Sequence, residues 1–293
     1  MHRDGISATP VTADQKQKVT AFFDESKPWQ GDLYRARDDY FARVIQRRKA
    51  YAMDMIRHLP GIPPGRVLDI GCGSGVYLEE LLSMGFEAYG MDISEEMLAV
   101  TRSRLAAAGD NRLHLAQGDV EHIPFEAASF DLVICVGVFG YLLRDEAALE
   151  EILRVLRPGG YLLLNLTNMY SLSDADFVLR KKIQTLFAGP QQPCESAECP
   201  GYAMQSPWML KNRKYGFKSY NLWKYERLLG DLGLRRIDAM TYGFEFRLLR
   251  RWKLLPERFL SDLELWMERL LRRRAIPYLS YSGWVYTGVF RNQ

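Results

Sequence analysis

The sequence predicts an α/β protein built on a mostly parallel, doubly wound sheet. Three observations carry that expectation. Between residues 66 and 166, short apolar runs alternate with segments of helix length, the pattern of a parallel sheet covered on both faces. The first run ends in Gly71-x-Gly73-x-Gly75 and leads straight into a helical segment, a junction where open α/β sheets take ligands. The composition, 47% hydrophobic and 26% charged over 293 residues, is that of an ordinary globular protein, long enough for one large domain with additions.

The elements follow in order. From Tyr34 to Leu59 the apolar residues Phe41, Val44, Ile45, Ala52, Met55, Ile56 and Leu59 keep a helical period. Pro60, Gly61, Pro63, Pro64 and Gly65 then stop that helix. Arg66–Ile70 reads as a buried strand, Ser74–Met84 as a helix, Glu87–Met91 as a strand and Glu95–Ala107 as a helix. Arg112–Ala116 is a weaker strand, Phe130–Val136 a strand, Glu146–Leu156 a helix and Tyr161–Leu166 a strand, with Arg157-Pro158-Gly159-Gly160 as the turn before it. After Asn168 the alternation lapses for about fifty residues. It resumes with a helix at Trp223–Leu232, a strand at Leu234–Thr241, an amphipathic helix at Leu260–Leu271 and a final strand at Trp284–Phe290.

The net charge of +3 hides a division. Residues 1–60 carry 11 Lys and Arg against 8 Asp and Glu, residues 61–168 carry 7 against 16, and residues 169–293 carry 21 against 12. An acidic middle suits a cationic ligand, and a basic C-terminal part suits an anionic partner. The N-terminus is polar and lacks a signal peptide's apolar core, no apolar run reaches membrane-spanning length, and four cysteines are too few for a disulfide scaffold. A cytoplasmic protein is the expectation. Cys194 and Cys199 stand as C-x4-C with no second pair or nearby histidine, so no metal site is expected.

Glycine at the turn lets a ligand lie against the main chain. The spacing G-x-G-x-G leans away from the dinucleotide fingerprint G-x-G-x-x-G. Five ordered motifs, VLDIGCGSG (67–75), GMDIS (90–94), GDVEHIPF (118–125), SFDLVIC (129–135) and LRPGG (156–160), resemble the class I S-adenosylmethionine-dependent methyltransferases, in particular the group with the ubiquinone and menaquinone methyltransferases. The resemblance runs from Val67 to Asn168, with a weaker echo from Tyr220 to Phe290. It implies a Rossmann-like, seven-stranded sheet with an antiparallel last strand. It also implies an N-terminal helical cover (1–60), a cofactor-binding core (61–168), a substrate lid inserted at 169–219, and the remaining strands with a helical insertion (220–293).

The same resemblance gives each matched residue a role. Gly71 and Gly73 admit the methionine end of S-adenosylmethionine, with Asp69 toward its ammonium. Asp92 accepts the ribose hydroxyls and Ile93 packs on the adenine. Asp119 accepts from the adenine amino group, and the Val120 backbone N–H donates to the ring. The backbone at Val136 meets the amino-acid part, and Trp29 and Tyr34 of the N-terminal segment shield the sulfonium. On physical grounds carboxylates are good acceptors for hydroxyl and amine donors and poor hosts for phosphates.

Methyl transfer from a sulfonium needs alignment above all, and a base only when the acceptor arrives protonated. His122, in the GDVEHIPF loop, and Tyr141, where many relatives carry histidine, are the candidate catalytic residues. A phenol, with a pKa of about 10, is a poor base at neutral pH, which suits Tyr141 to shaping the pocket or donating a hydrogen bond. The aromatic residues between Tyr170 and Tyr220 suit an aromatic or lipid-like acceptor. RLLRRWKLL (247–255) and Arg272-Arg273-Arg274 read either as a face for anionic lipid head groups or as a helix packed on the sheet. Nucleic acid is the lesser expectation: Val136-Gly137-Val138-Phe139 replaces the Asp/Asn-Pro-Pro-aromatic motif of the amino-methylating enzymes. A non-catalytic cofactor-binding partner is the third reading.

Overall fold

The computed structural model describes residues 10–25, 34, 40–62, 64–106, 110–142, 144–168, 218–244, 256–273 and 281–293. Seven strands form one sheet in the order β3-β2-β1-β4-β5-β7-β6. They are β1 (Arg66–Ile70), β2 (Glu87–Asp92), β3 (Leu113–Gln117), β4 (Phe130–Cys135), β5 (Leu156–Thr167), β6 (Leu234–Tyr242) and β7 (Val285–Asn292). The pairs from β3 through β5 are parallel, and β7 runs antiparallel between β5 and β6. The chain reverses direction across the sheet between β1 and β4, which opens a crevice at their C-terminal ends.

Successive strand residues point to opposite faces, and here both faces are covered. Val67, Leu132, Ile134 and Leu163 pack on one face with α2 (Tyr40–Arg57), α3 (Val76–Ser83) and α4 (Glu95–Leu105). Leu68, Ile70, Val133 and Cys135 pack on the other with α5 (Glu146–Val155) and α6 (Leu222–Asp231). This double burial is why β1 and β4 read as continuous apolar runs rather than alternating ones. Ser94 caps α4 by accepting from the Met97 N–H at 3.1 Å, and Glu95 and Glu96 occupy its first turn, where the helix dipole favours negative charge. An N-terminal helix, α1 (Pro10–Glu25), lies against α4, and α7 (Glu257–Arg273) packs on β6 beside α2.

Two expectations change. Arg157–Gly160 does not form a separate turn but lies within the bounds of β5. Phe130 pairs with Leu156 and Leu132 with Tyr161, so the four residues bulge opposite Asp131, with Gly159 at φ 78°. The bulge holds because Asn292 donates to the Arg157 carbonyl and Arg291 to the Gly159 carbonyl, both at 3.2 Å. The second change is one of detail: within the N-terminal helical cover expected at 1–60, α1 forms where the apolar positions are too sparse to show a helical period. Trp29, Cys194, Cys199 and nearly all of the insertion at 169–219 lie outside the described residues. Among the described residues, no helix is long and apolar enough to cross a membrane.

Candidate functional site

A cavity opens at the C-terminal ends of β1, β2, β4 and β5, roofed by α1 and walled by α2. The glycine turn makes its floor. Gly71 and Gly73 adopt φ 68° and 53°, a region that side chains disfavour. A Cβ on Gly71 would meet Val138 Cγ2 at 2.4 Å, whereas a Cβ on Gly73 would meet nothing within 4 Å and would stand in the cavity. The turn is pinned by Gly71 N–H donating to the Met91 carbonyl at 2.7 Å and by the Thr101 hydroxyl donating to the Gly73 carbonyl at 2.6 Å.

Three carboxylates line this cavity. Asp69, the fourth residue of β1, is buried, and its Oδ2 has no hydrogen-bond partner. Burial, then the neighbouring charge of Asp92, pushes its pKa well above the carboxylate range. A buried acceptor left unpaired is costly, so this atom points to a ligand donor. Asp92, at the end of β2, accepts from Gly73 N–H at 2.8 Å and from Ser94 N–H at 3.0 Å. Burial raises its pKa, against the backbone donors that lower it. A carboxylate has about four acceptor positions, so capacity remains for a ligand. Asp119, after β3, accepts from Lys16 Nζ at 2.5 Å and from Glu121 N–H at 3.0 Å.

A positive group faces the same space. Arg48 of α2 is buried, lines the cavity and donates to the Tyr34 hydroxyl at 3.1 Å. Burial works to lower its pKa, but the hydroxyls of Tyr34, Tyr77 and Tyr242 around it raise it overall, and the guanidinium stays charged. A Cβ on Gly137 would lie 3.2 Å from Arg48 Nη1, so the arginine lies beside the backbone that follows β4. The Tyr77 hydroxyl and the Ser74 Oγ are buried without a partner, and both residues line the cavity. The cavity thus offers a carboxyl with an unpaired oxygen, a positive group and two unpaired hydroxyls, a set that complements a zwitterionic amino acid.

Beyond Arg48 the lining turns apolar and aromatic, with Phe23, Phe41, Ile45, Tyr141 and Trp284. Tyr141 is buried and meets Phe23 edge to face at 5.4 Å, and Phe41 meets Trp284 at 6.4 Å. Asn165 and Thr167 of β5 supply the polar points there.

Of the residues singled out from sequence, Asp69, Gly71, Gly73, Asp92, Ile93, Asp119, Val120, Val136, Tyr34 and Tyr141 all line this one cavity. His122 does not. It is exposed, and the Asp119–His122 bridge turns the chain so that it stands beside Glu151 instead. Lys16, Arg48 and Tyr77 line the cavity and were not anticipated. The only available signals were a charged residue interrupting an apolar helical stripe at Arg48 and a tyrosine in the first turn after the glycines. Among the described residues no group of three or more His, Cys, Asp or Glu side chains is placed to hold a metal ion.

Comparison with known proteins agrees with this geometry. A model of the methyltransferase domain matches residues 68–164. The chain is 35% identical over 147 residues to the malonyl-(acyl-carrier protein) O-methyltransferase of Enterobacter lignolyticus, spanning 50% of this chain and 52% of that protein. It is 32% identical over 123 residues to the demethylmenaquinone methyltransferase of Bacillus cytotoxicus, spanning 40% and 50%. The chain thus spans about half the length of the curated relatives it matches. Magnesium protoporphyrin IX methyltransferase from Synechocystis PCC 6803, solved with bound SAH, shares the fold at TM-score 0.60 and 16% identity, over 95% of this chain and 100% of that one.

Proposed function

We propose that this chain, whose residues 68–164 match the methyltransferase domain, is a class I S-adenosylmethionine-dependent enzyme that transfers a methyl group from S-adenosylmethionine to an O or N atom of a small, aromatic or lipid-like acceptor. The observation that carries the proposal is the unpaired Oδ2 of buried Asp69, at the glycine turn, in a cavity that buried Arg48 also lines. A buried carboxyl oxygen left without a donor is costly, and a ligand ammonium would supply that donor. The donor's methionine end carries an ammonium and a carboxylate together.

In this reading Asp69 takes the ammonium, and Arg48 takes the carboxylate, with the Tyr77 hydroxyl and the backbone after Val136 beside it. Gly73 leaves the room that a side chain would fill. Asp92 accepts from the ribose hydroxyls with the positions its backbone donors leave over. Ile93 and Val120 flank the adenine, and Asp119 accepts from its amino group while Lys16 holds α1 over that end. Bound there, the donor supplies a methyl group on a positively charged sulfur, activated without any help from the protein.

The chain's own work is then orientation and exclusion of water, and fixing two reactants in line can remove roughly 7–11 kcal/mol of barrier. Tyr34, Phe23 and Tyr141 close the space where sulfur and acceptor would meet, with Tyr34 held in place by Arg48. Tyr141 shapes the acceptor side and can donate a hydrogen bond to it. His122, exposed and outside the cavity lining, has no part in the reaction. The malonyl and menaquinone relatives act, by name, on chemically different acceptors, and the aromatic lining beyond Arg48 favours the ring or chain of an apolar one.

The test is titration calorimetry with S-adenosylmethionine and with its demethylated product. Binding of both, weakened by changes at Asp69 and Arg48, supports the proposal. No heat from either ligand overturns it.

A further inference from the structure

The helix α7 is turned the wrong way for its composition. A helix at a protein surface ordinarily lays its apolar stripe on the core. In α7 the buried positions include Glu264 and Glu268, at 0% and 1% exposure. Glu268 accepts from the Tyr51 hydroxyl at 2.5 Å, from Arg47 at 3.2 Å and from the Gly243 N–H at 3.2 Å. Arg47 also reaches Glu264 at 3.4 Å. These bonds fix the rotation of the helix, and they turn a different stripe outward. Phe259, Leu263, Trp266 and Leu270 follow one another at spacings of four, three and four, on one side of the helix. Phe259 is 51% and Trp266 58% exposed, and the two leucines between them are half-buried.

The charge of α7 says what its outer face meets. Its own sequence, Glu257–Arg273, carries four arginines against four acids. Two of those four acids, Glu264 and Glu268, face inward and are engaged by Arg47. Arg269 stands exposed one turn from Trp266. An outward aromatic stripe with surplus positive charge is the pattern of a helix that lies in the interface of an anionic bilayer, its aromatic rings at head-group depth.

We infer that the outer face of α7 docks on an anionic lipid surface through Phe259 and Trp266. The placement is useful to the cavity. Arg47 and Tyr51 of α2 hold α7, while Phe41, Ile45 and Arg48 of the same α2 line the cavity. One helix therefore links the lipid-facing surface to the acceptor side. The docking stands independently of the methyl-transfer reading, because it is measured by binding to lipid and not by turnover.

The experiment is co-sedimentation of the full chain with phosphatidylcholine vesicles, with and without phosphatidylglycerol, at low and high salt. Vesicles containing phosphatidylglycerol should carry the protein down at low salt, and high salt should release much of it. The double variant Phe259→Ser/Trp266→Ser should bind such vesicles at least about tenfold more weakly. Arg269→Glu, which leaves the aromatic stripe intact, should lose at least roughly fivefold. Equal binding to neutral and anionic vesicles, or undiminished binding by both variants, overturns the inference. So does a dimer in light scattering that the double variant dissociates, which would give the face to a second copy of the chain.

Discussion

Lys16 Nζ lies 2.5 Å from Asp119 Oδ2 and 2.6 Å from Glu121 Oε2, joining the N-terminal helix to the loop after β3 across more than a hundred residues of sequence. At the C-terminal end of the same helix, the Ser94 hydroxyl donates to Asp24 at 2.5 Å. Two polar ties thus hold α1 over the end of the cavity where Asp92, Ile93 and Val120 converge. Partly exposed ion pairs contribute little to global stability, about 0.2–1 kcal/mol. Their effect here is local, on how often α1 lifts. Lys16→Met should leave the melting temperature nearly unchanged. It should speed hydrogen exchange in residues 10–25 and cofactor dissociation by roughly two- to fivefold, read by mass spectrometry and stopped-flow fluorescence. Unchanged dissociation would remove α1 from the binding pathway.

Asp69 makes a prediction about pH. In the unfolded chain its carboxyl ionises at an ordinary value of about 3.9, whereas in the fold burial and then Asp92 hold it protonated to higher pH. A raised folded pKa means that stability from this group is present below the ordinary carboxylate range and is lost as pH rises through the raised value. The ligand's ammonium needs the ionised form, so cofactor affinity should climb over that same interval. Asp69→Asn should therefore raise the melting temperature of the ligand-free protein at neutral pH, weaken the cofactor about tenfold or more, and flatten the pH dependence of its affinity. Calorimetry across pH, paired with thermal melts, reads all three outcomes.

Asp92 differs because its charge is already supported by Gly73 and Ser94 N–H groups. Replacing it by alanine removes the acceptor for both and the seat expected for two ribose hydroxyls. With charge-assisted bonds contributing about 1.5–3 kcal/mol each, affinity should fall roughly a hundredfold or more. Asp92→Asn, which keeps one acceptor oxygen, should lose less. If calorimetry shows both variants binding like the parent chain, the ribose assignment is wrong.

The strands were legible because their cause is local. Runs such as Val67–Ile70 and Leu132–Cys135 are buried on both faces, and that burial writes itself into consecutive residues. The glycine turn and the three aspartates at strand ends were legible for the same reason. Lys16 and Arg48 were not, because each acquires its role from a partner far along the chain. Arg48 looked like a flaw in an apolar stripe until the tyrosines around it, Tyr34, Tyr77 and Tyr242, came together from three separate elements. His122 is the opposite case: it does not line the cavity. It lies three residues from Asp119, yet a single bridge between the two sends its side chain outside the cavity, and nearness in sequence carried no information about facing. The Arg157–Gly160 segment shows a third kind of miss: the residues of a turn also serve a bulge, and only the pairing partner Asp131 distinguishes them.

The acceptor side gives the sharpest separation of functions. Both ends of the segment between β5 and α6 meet at the cavity mouth: Asn168 N–H donates to the Trp284 carbonyl at 2.9 Å, Tyr220 N–H to Thr167 and Lys218 N–H to Gly140, each at 2.8 Å. Asn168 and Tyr220 pair directly as a bridge, so a short linker can replace residues 172–216 without disturbing the sheet. Asp69, Arg48, Asp92 and Asp119 all lie outside the deleted stretch. The shortened chain should therefore bind S-adenosylmethionine with nearly the parent affinity while losing all transfer to its acceptor. An equal loss of both would mean that the segment helps to hold the donor, and the division between a donor half lined by acids and an acceptor half lined by aromatics would have to be redrawn.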